Sequence, residues 1–174
     1  TTEILGESLS AGPVKGLADR SAPYGIDVDW STLGGYFERL EQGGTAVNVG
    51  SFVGATQVRL CVLGEDSRDP SPDEMAEMEA LVREAMDQGA FGLSCALLVP
   101  PNTYITTDQL IGLCRVIQPY GGLFSIHIRS EGIGIEDSIR EAIEIGAASG
   151  VPVDVLHMKI ADKRLWGRMP EVAG

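Results

Sequence analysis

GLFSIHI (122–128) and VPVDVLHM (151–158) decide the fold of this chain. Each is a short apolar run next to glycine or proline, which predicts a β-strand. Between them, Glu136 to Ala148 has apolar residues at helical spacing, and Gly150 ends the predicted helix. A strand, a helix and a second strand in this order predict two parallel neighbours in one sheet.

The same alternation of strand and helix patterns extends toward the N-terminus. Strand patterns occur in TTEIL (1–5), TAVNVGSFV (45–53) and AFGLSCALL (90–98), and helix patterns occur in 31–42, from Ser71 and from Thr107. VRLCVLG (58–64) is predicted to lie in a long loop. Because several strands are apolar on both faces, we expect a parallel sheet with helices on both sides.

The loop after the first strand helps to choose between two parallel folds. GESLSAGP (6–13) is neither a G-x-G-x-x-G turn nor a P-loop, which disfavours a doubly wound nucleotide-binding fold. A complete (β/α)8 barrel needs about 250 residues, so we predict a partial TIM-type barrel of about five consecutive β/α units. Residues 1–174 would then be a fragment of one barrel domain. The chain opens in a strand pattern without an initiator methionine, and we expect a longer parent chain.

The composition disfavours several classes of partner. The 174 residues are 44% hydrophobic and carry a formal net charge of -12, which disfavours nucleic acid and anionic membrane surfaces. No apolar run approaches the roughly 20 residues of a membrane span. The three cysteines form no C-x-x-C pair, so neither a disulfide framework nor a thiolate zinc site is indicated. This cysteine usage predicts a reducing, cytoplasmic location.

The two histidines, the only ones in the chain, indicate a metal site. His127 and His157 lie at the C-terminal ends of adjacent predicted strands, the face on which barrel enzymes place their active sites. Neutral imidazole is a common zinc ligand, but a catalytic zinc ion needs a third protein ligand and a water. Glu7 follows the first strand on the same face and is the third candidate. The alternative is that both histidines are hydrogen-bonded structural residues.

Two cations follow the histidines. Arg129 and Lys159 each lie two residues after a histidine, and on extended backbone such positions share a side. Beside a metal, they would suit an anionic substrate such as a carboxylate. Glu131 could pair with either cation or orient a ligand imidazole. The alternative is that both cations are surface charges that close βα loops.

The motifs together resemble those of a known family. GAFGLSCALLVPPNTYITTDQL (89–110), SIHIRSE (125–131), VPVDVLHMK (151–159) and TTEILGESLSAGP (1–13) are similar, in this order, to motifs of the N-acyl-D-amino-acid deacylases of the amidohydrolase superfamily. The resemblance implies a metal-dependent hydrolase that cleaves the amide bond of N-acyl (D-)amino acids or a related carboxylate-bearing amide, with one or two divalent ions such as Zn²⁺. It implies His127 and His157 as metal ligands and Lys159 as a substrate contact.

The sequence departs from the family pattern at several positions. Ser8 stands where these deacylases have a metal-bridging cysteine, and we expect the carboxylate of Glu7 to take that role. Val99 stands where they have a substrate-contacting tyrosine, so its hydrogen bond is missing. The superfamily's His-x-His and its catalytic Asp do not occur in matching positions, so both are expected outside this chain. The 174-residue fragment alone is therefore expected to be inactive.

Two other functions and one association remain open at this stage. A cyclic amidase of the hydantoinase or dihydroorotase type would share the barrel and the metal site. A catalytically silent barrel scaffold would keep the histidines as structural residues. A partial barrel also leaves two unpaired sheet edges, which predicts self-association of the isolated segment.

Overall fold

A five-stranded parallel sheet forms the centre of the fold. The computed structural model describes residues 2–8, 21–25 and 27–173. The strands are β1 (Thr2–Ser8), β2 (Asn48–Gly54), β3 (Gly92–Ala96), β4 (Leu123–His127) and β5 (Val153–Val155). Each strand pairs in parallel with the next one along the chain, in the order β1-β2-β3-β4-β5. This topology confirms the predicted partial barrel.

Helices alternate with these strands. They are α1 (Leu33–Gly43), α2 (Ala55–Leu63), α3 (Pro72–Asp87), α4 (Thr107–Ile117), α5 (Ile135–Ser149) and the short α6 (Met169–Ala173). Single 3-10 turns occupy Ala22–Tyr24, Asn102–Tyr104, Gln118–Tyr120 and Lys163–Leu165. Within the described ranges, no helix has the length and apolar character needed to cross a membrane.

The prediction of a long loop at 58–64 was wrong, because α2 covers residues 58–63. Its buried residues lie on several sides of the helix and are Ala55, Thr56, Gln57, Val58, Arg59 and Leu63. A helix buried on several sides has no apolar stripe, so periodicity cannot reveal it. Arg59 is fully buried, and its Nη2 donates 2.7 Å hydrogen bonds to the carbonyls of Asp66 and Arg68.

The two faces of the sheet differ in character. Phe124 and Ile126 of β4 are buried in the apolar core together with residues of the helices. Side chains alternate along a strand, so Ser125 and His127 lie on the opposite face. Ser125 pairs with Ser94 of β3, and His127 pairs with the small residue Ala96. The face that carries His127 is therefore lined at this point by small side chains.

A capping box begins α3, as the sequence predicts. The amide of Glu74 donates to Oγ of Ser71 at 3.2 Å, and the Glu74 carboxylate accepts from the amide of Ser71 at 2.7 Å. The same carboxylate accepts a 2.7 Å hydrogen bond from Nη1 of Arg68. Hydrogen bonds from Arg68 first, and from Ser71 second, lower the pKa of Glu74 from its ordinary 4.5 to about 2.

This cap predicts a pH-dependent contribution to stability. Because folding lowers the pKa of Glu74, its contribution is present above pH 4.5 and is lost as the pH falls toward about 2. We expect Glu74→Gln to reduce the free energy of unfolding at pH 6 and to have a progressively smaller effect between pH 4.5 and 2. Urea unfolding across this range measures the difference. The control Glu77→Gln changes an exposed carboxylate of the same helix. Its free energy of unfolding, plotted against pH, should run parallel to that of the wild type.

Candidate metal centre

His127 is the last residue of β4 and is held in one orientation by its neighbour. Its Nδ1 lies 3.0 Å from the carbonyl oxygen of Ile128. A carbonyl only accepts, so Nδ1 carries the hydrogen and the lone pair of the neutral ring is on Nε2. This Nε2 lies 3.3 Å from Oε1 of Glu131. The hydrogen bond to Ile128 thus leaves Nε2 free to bind a cation.

His157 reaches the same place from a turn. The predicted strand at 151–158 ends at Val155, and His157 has a φ of 62°, the only positive φ of a non-glycine residue among those described. Such a conformation costs about 1–3 kcal/mol, and residues that adopt it cluster at functional sites. It brings the two imidazoles together, with ring centroids 4.8 Å apart and planes at 72°.

Glu131 joins the two histidines. Its Oε1 lies 3.3 Å from Nε2 of His127 and 3.4 Å from Nδ1 of His157, and its side chain is only 11% exposed. One ligand atom from each of these three residues lies within 4.8 Å of the others. Three acceptors that face one another repel unless a cation lies between them. Sequence analysis gave Glu131 only a pairing or orienting role and did not predict its contact with both rings.

Lys159 supplies a cation to this cluster. Its Nζ contacts Oε1 of Glu131 and lies 3.0 Å from Nδ1 of His157. An ammonium group only donates, so Nδ1 of His157 accepts and its lone pair points into the cluster. Lys159 thus lies beside His157, although the backbone there is not extended, and its predicted substrate-binding role stays a prediction.

Arg129 points away from the cluster. Its Nη2 lies 2.7 Å from Oε1 of Glu141 in α5, and further hydrogen bonds reach the carbonyls of Thr103 and Ile105. The hydrogen bonds to Glu141 raise the pKa of the Arg129 guanidinium. These contacts join α5 to the loop that precedes α4. The substrate-binding role predicted for Arg129 stays a prediction, and its guanidinium is not among the groups that face the histidines.

The other predicted residues are only partly described. The backbone of Glu7 lies in β1 opposite Phe52, after an irregularity in the β1–β2 register, but the side chains of Glu7 and Ser8 lie outside the described part of the chain. The metal-ligand role predicted for Glu7 therefore stays a prediction. Val99 is exposed in the loop after β3, and this loop reaches the site because the amide of Leu97 donates to the carbonyl of His127 at 3.0 Å.

Comparisons with known proteins identify the family of this chain. The chain is 34% identical to a D-aminoacylase of Alcaligenes xylosoxydans xylosoxydans over 136 residues, which is 78% of the chain. It is 31% identical to an N-acyl-D-aspartate deacylase of the same organism over an alignment that covers 98% of the chain. The chain belongs to the N-acyl-D-amino-acid deacylase family. No family profile matches the sequence.

A solved deacylase structure agrees with this family assignment. The N-acyl-D-glutamate deacylase of Bordetella bronchiseptica, complexed with zinc and a phosphonate inhibitor, superimposes with a TM-score of 0.88 at 28% identity. The match covers 99% of this chain and 37% of that deacylase. The chain spans 28% and 36% of the length of the two curated deacylases. The family resemblance read from the sequence motifs is thus confirmed.

Proposed function

We propose that the protein is a metal-dependent amidohydrolase that cleaves the amide bond of N-acyl (D-)amino acids. One observation supports this most directly: the acceptor atoms of His127, Glu131 and His157 converge near the C-terminal ends of β4 and β5. Barrel enzymes build their active sites at this end of the sheet. The zinc-complexed N-acyl-D-glutamate deacylase to which the chain is similar supports the same chemistry.

The donor set fits a zinc ion. Nε2 of His127, Nδ1 of His157 and Oε1 of Glu131 are two nitrogens and one carboxylate oxygen, a ligand combination that zinc accepts in hydrolases. Glu7 is proposed as a further ligand, so the site would take one or two divalent ions. A bound zinc ion would lower the pKa of a coordinated water and polarise the scissile carbonyl. The general base is proposed to be an Asp outside residues 1–174.

The remaining residues of the site would position the substrate. Lys159 carries the cation that a substrate carboxylate would contact. Leu98 and Val99 follow β3, while Leu156 and Met158 flank His157, and all four side chains are exposed. Exposed apolar side chains that adjoin a proposed ligand in the chain, as Leu156 and Met158 adjoin His157, favour a substrate with an apolar acyl group or side chain, because binding would remove that surface from water.

Metal removal tests the proposal. We expect the full-length protein to bind zinc and to release free amino acid from N-acetyl-D-amino acids. A chelator should abolish hydrolysis, because no coordinated water would then be activated, and added zinc should restore it. Amine release and zinc content are measured on the same samples. A protein that binds no zinc would instead support the silent scaffold, and one that opens hydantoin or dihydroorotate rings but spares N-acyl amino acids would support a cyclic amidase.

Two further properties belong to the proposal. A cytoplasmic location is proposed because the three cysteines of the sequence form no C-x-x-C pair, and Cys95 and Cys114 are buried. Burial raises the pKa of Cys114 to about 12, as expected for a core thiol that is not a metal ligand. Self-association through the sheet edges stays a prediction for the isolated segment, and light scattering on that segment tests it.

A further inference from the structure

The Lys159 ammonium contacts two of the three candidate ligands, Glu131 and His157. One atom, Oε1 of Glu131, makes the close contacts with His127 and His157 and also with Nζ of Lys159. Nζ also donates a hydrogen bond to Nδ1 of His157 at 3.0 Å. Glu131 and His157, two of the three proposed metal ligands, therefore already contact the positive charge of Lys159.

The ammonium and a metal ion cannot both keep these contacts. A divalent ion bound to Oε1 of Glu131 and Nδ1 of His157 would lie next to a like charge, and like charges at contact distance repel strongly. One of the groups must move. The side chains of Glu131 and His127 are 11% and 18% exposed, whereas those of His157 and Lys159 are 52% and 53% exposed. Of the two exposed groups, the imidazole of His157 is one carbon from its backbone, whereas the ammonium of Lys159 ends a flexible four-carbon stem. Lys159 is the group that is free to leave.

We propose that Lys159 is an internal counter-ion that competes with the metal for Glu131 and is released when the metal binds. This inference rests on the proposed function. Without a metal, the ammonium would neutralise a carboxylate that faces two imidazole lone pairs and would keep the three ligands together. With a metal, the freed ammonium remains within one side-chain length of the site and becomes available to the carboxylate of a substrate. Metal binding would thus prepare the substrate contact.

The competition predicts opposite effects of one substitution with and without metal. We expect Lys159→Met to raise zinc affinity about tenfold, because the ion no longer displaces a like charge. In chelator-treated protein, the same variant should lower the melting temperature by about 2–4 °C, because Glu131 loses its counter-ion. Zinc affinity is measured by competition with a chromophoric chelator, and melting is followed by circular dichroism. Neither readout requires activity.

Three further variants complete the test, two of them as controls and one, Lys159→Gln, as a second test variant. Lys159→Arg keeps the charge and should bind zinc within about twofold of the wild type. Lys159→Gln removes the charge but keeps a polar side chain, and it should bind zinc more tightly, as Lys159→Met does. Lys163→Met removes an exposed lysine whose Nζ lies 5.9 Å from the ring centroid of Trp166, and zinc affinity should not change.

The outcomes separate this inference from the proposed function. If the wild-type protein binds no zinc, the proposed function fails. If the wild type binds zinc, but both Lys159→Met and Lys159→Gln bind it equally or more weakly, the inference is overturned and the proposed function stands. A chelator-treated Lys159→Met protein that melts at or above the wild-type temperature would also overturn the counter-ion role. Tighter zinc binding with a lower melting temperature in chelator supports the inference.

Discussion

His127→Ala is expected to reduce zinc affinity more than 100-fold. A zinc site of four ligands contributes about 10–16 kcal/mol, so one ligand accounts for roughly 3 kcal/mol, or more than two powers of ten in affinity. His157→Ala should have a similar effect. Glu131→Gln keeps an oxygen ligand but loses the negative charge, and we expect a loss of about 10- to 100-fold. Metal analysis after dialysis and chelator competition measure these affinities.

A matched substitution at Glu141 distinguishes the loss of a metal ligand from the loss of a buried carboxylate. Glu141 is 13% exposed, close to the 11% of Glu131, but it pairs with Arg129 and not with the histidines. We expect Glu141→Gln to lower stability, because Arg129 loses a partner, and to leave zinc affinity within about twofold. Equal zinc losses in Glu131→Gln and Glu141→Gln would show that Glu131 acts through stability and not as a ligand.

Gly92→Ala is expected to destabilise the fold by about 3–5 kcal/mol, a large part of the roughly 5–15 kcal/mol that holds a domain folded. Gly92 begins β3 with a φ of 150° and pairs with Leu123 of β4. A Cβ at this position would lie 1.9 Å from the carbonyl oxygen and 2.6 Å from the amide nitrogen of Leu123. Neither backbone atom can move without separating β3 from β4, which carries His127.

Gly50→Ala is the control for this substitution. A Cβ at Gly50 would lie 2.0 Å from Cε2 of Phe91, a clash as close as that at Gly92. The obstacle is the far end of a side chain that is 49% exposed, so the ring can rotate into solvent. We expect a cost of about 1 kcal/mol. Urea unfolding of both variants measures the difference, and a Gly92→Ala protein as stable as Gly50→Ala would contradict the steric argument.

Local patterns account for what could be predicted from the sequence. A strand predicted at 122–128 is found at Leu123–His127, because the alternating buried residues Phe124 and Ile126 follow a glycine pair and favour an extended backbone. The cap at Ser71 and Glu74 depends on residues only three positions apart and was predicted in full. The order of the strands followed from the alternation of these elements. The helix at Ala55–Leu63 was missed because it is buried on several sides and has no polar face to set a period.

The sequence by itself determined the parallel sheet and the placement of two histidines near the ends of neighbouring strands. Only the tertiary structure decided which side chains meet there. Past the last residue of β4, Arg129 is drawn to Glu141 in the following helix, while Glu131 turns back to both imidazoles. Strand periodicity no longer directs side chains once the chain leaves the sheet, so long-range contacts choose their direction. The positive φ of His157 could not be predicted either, because the hydrophobic pattern of a sequence does not reveal the backbone conformation of a single strained residue.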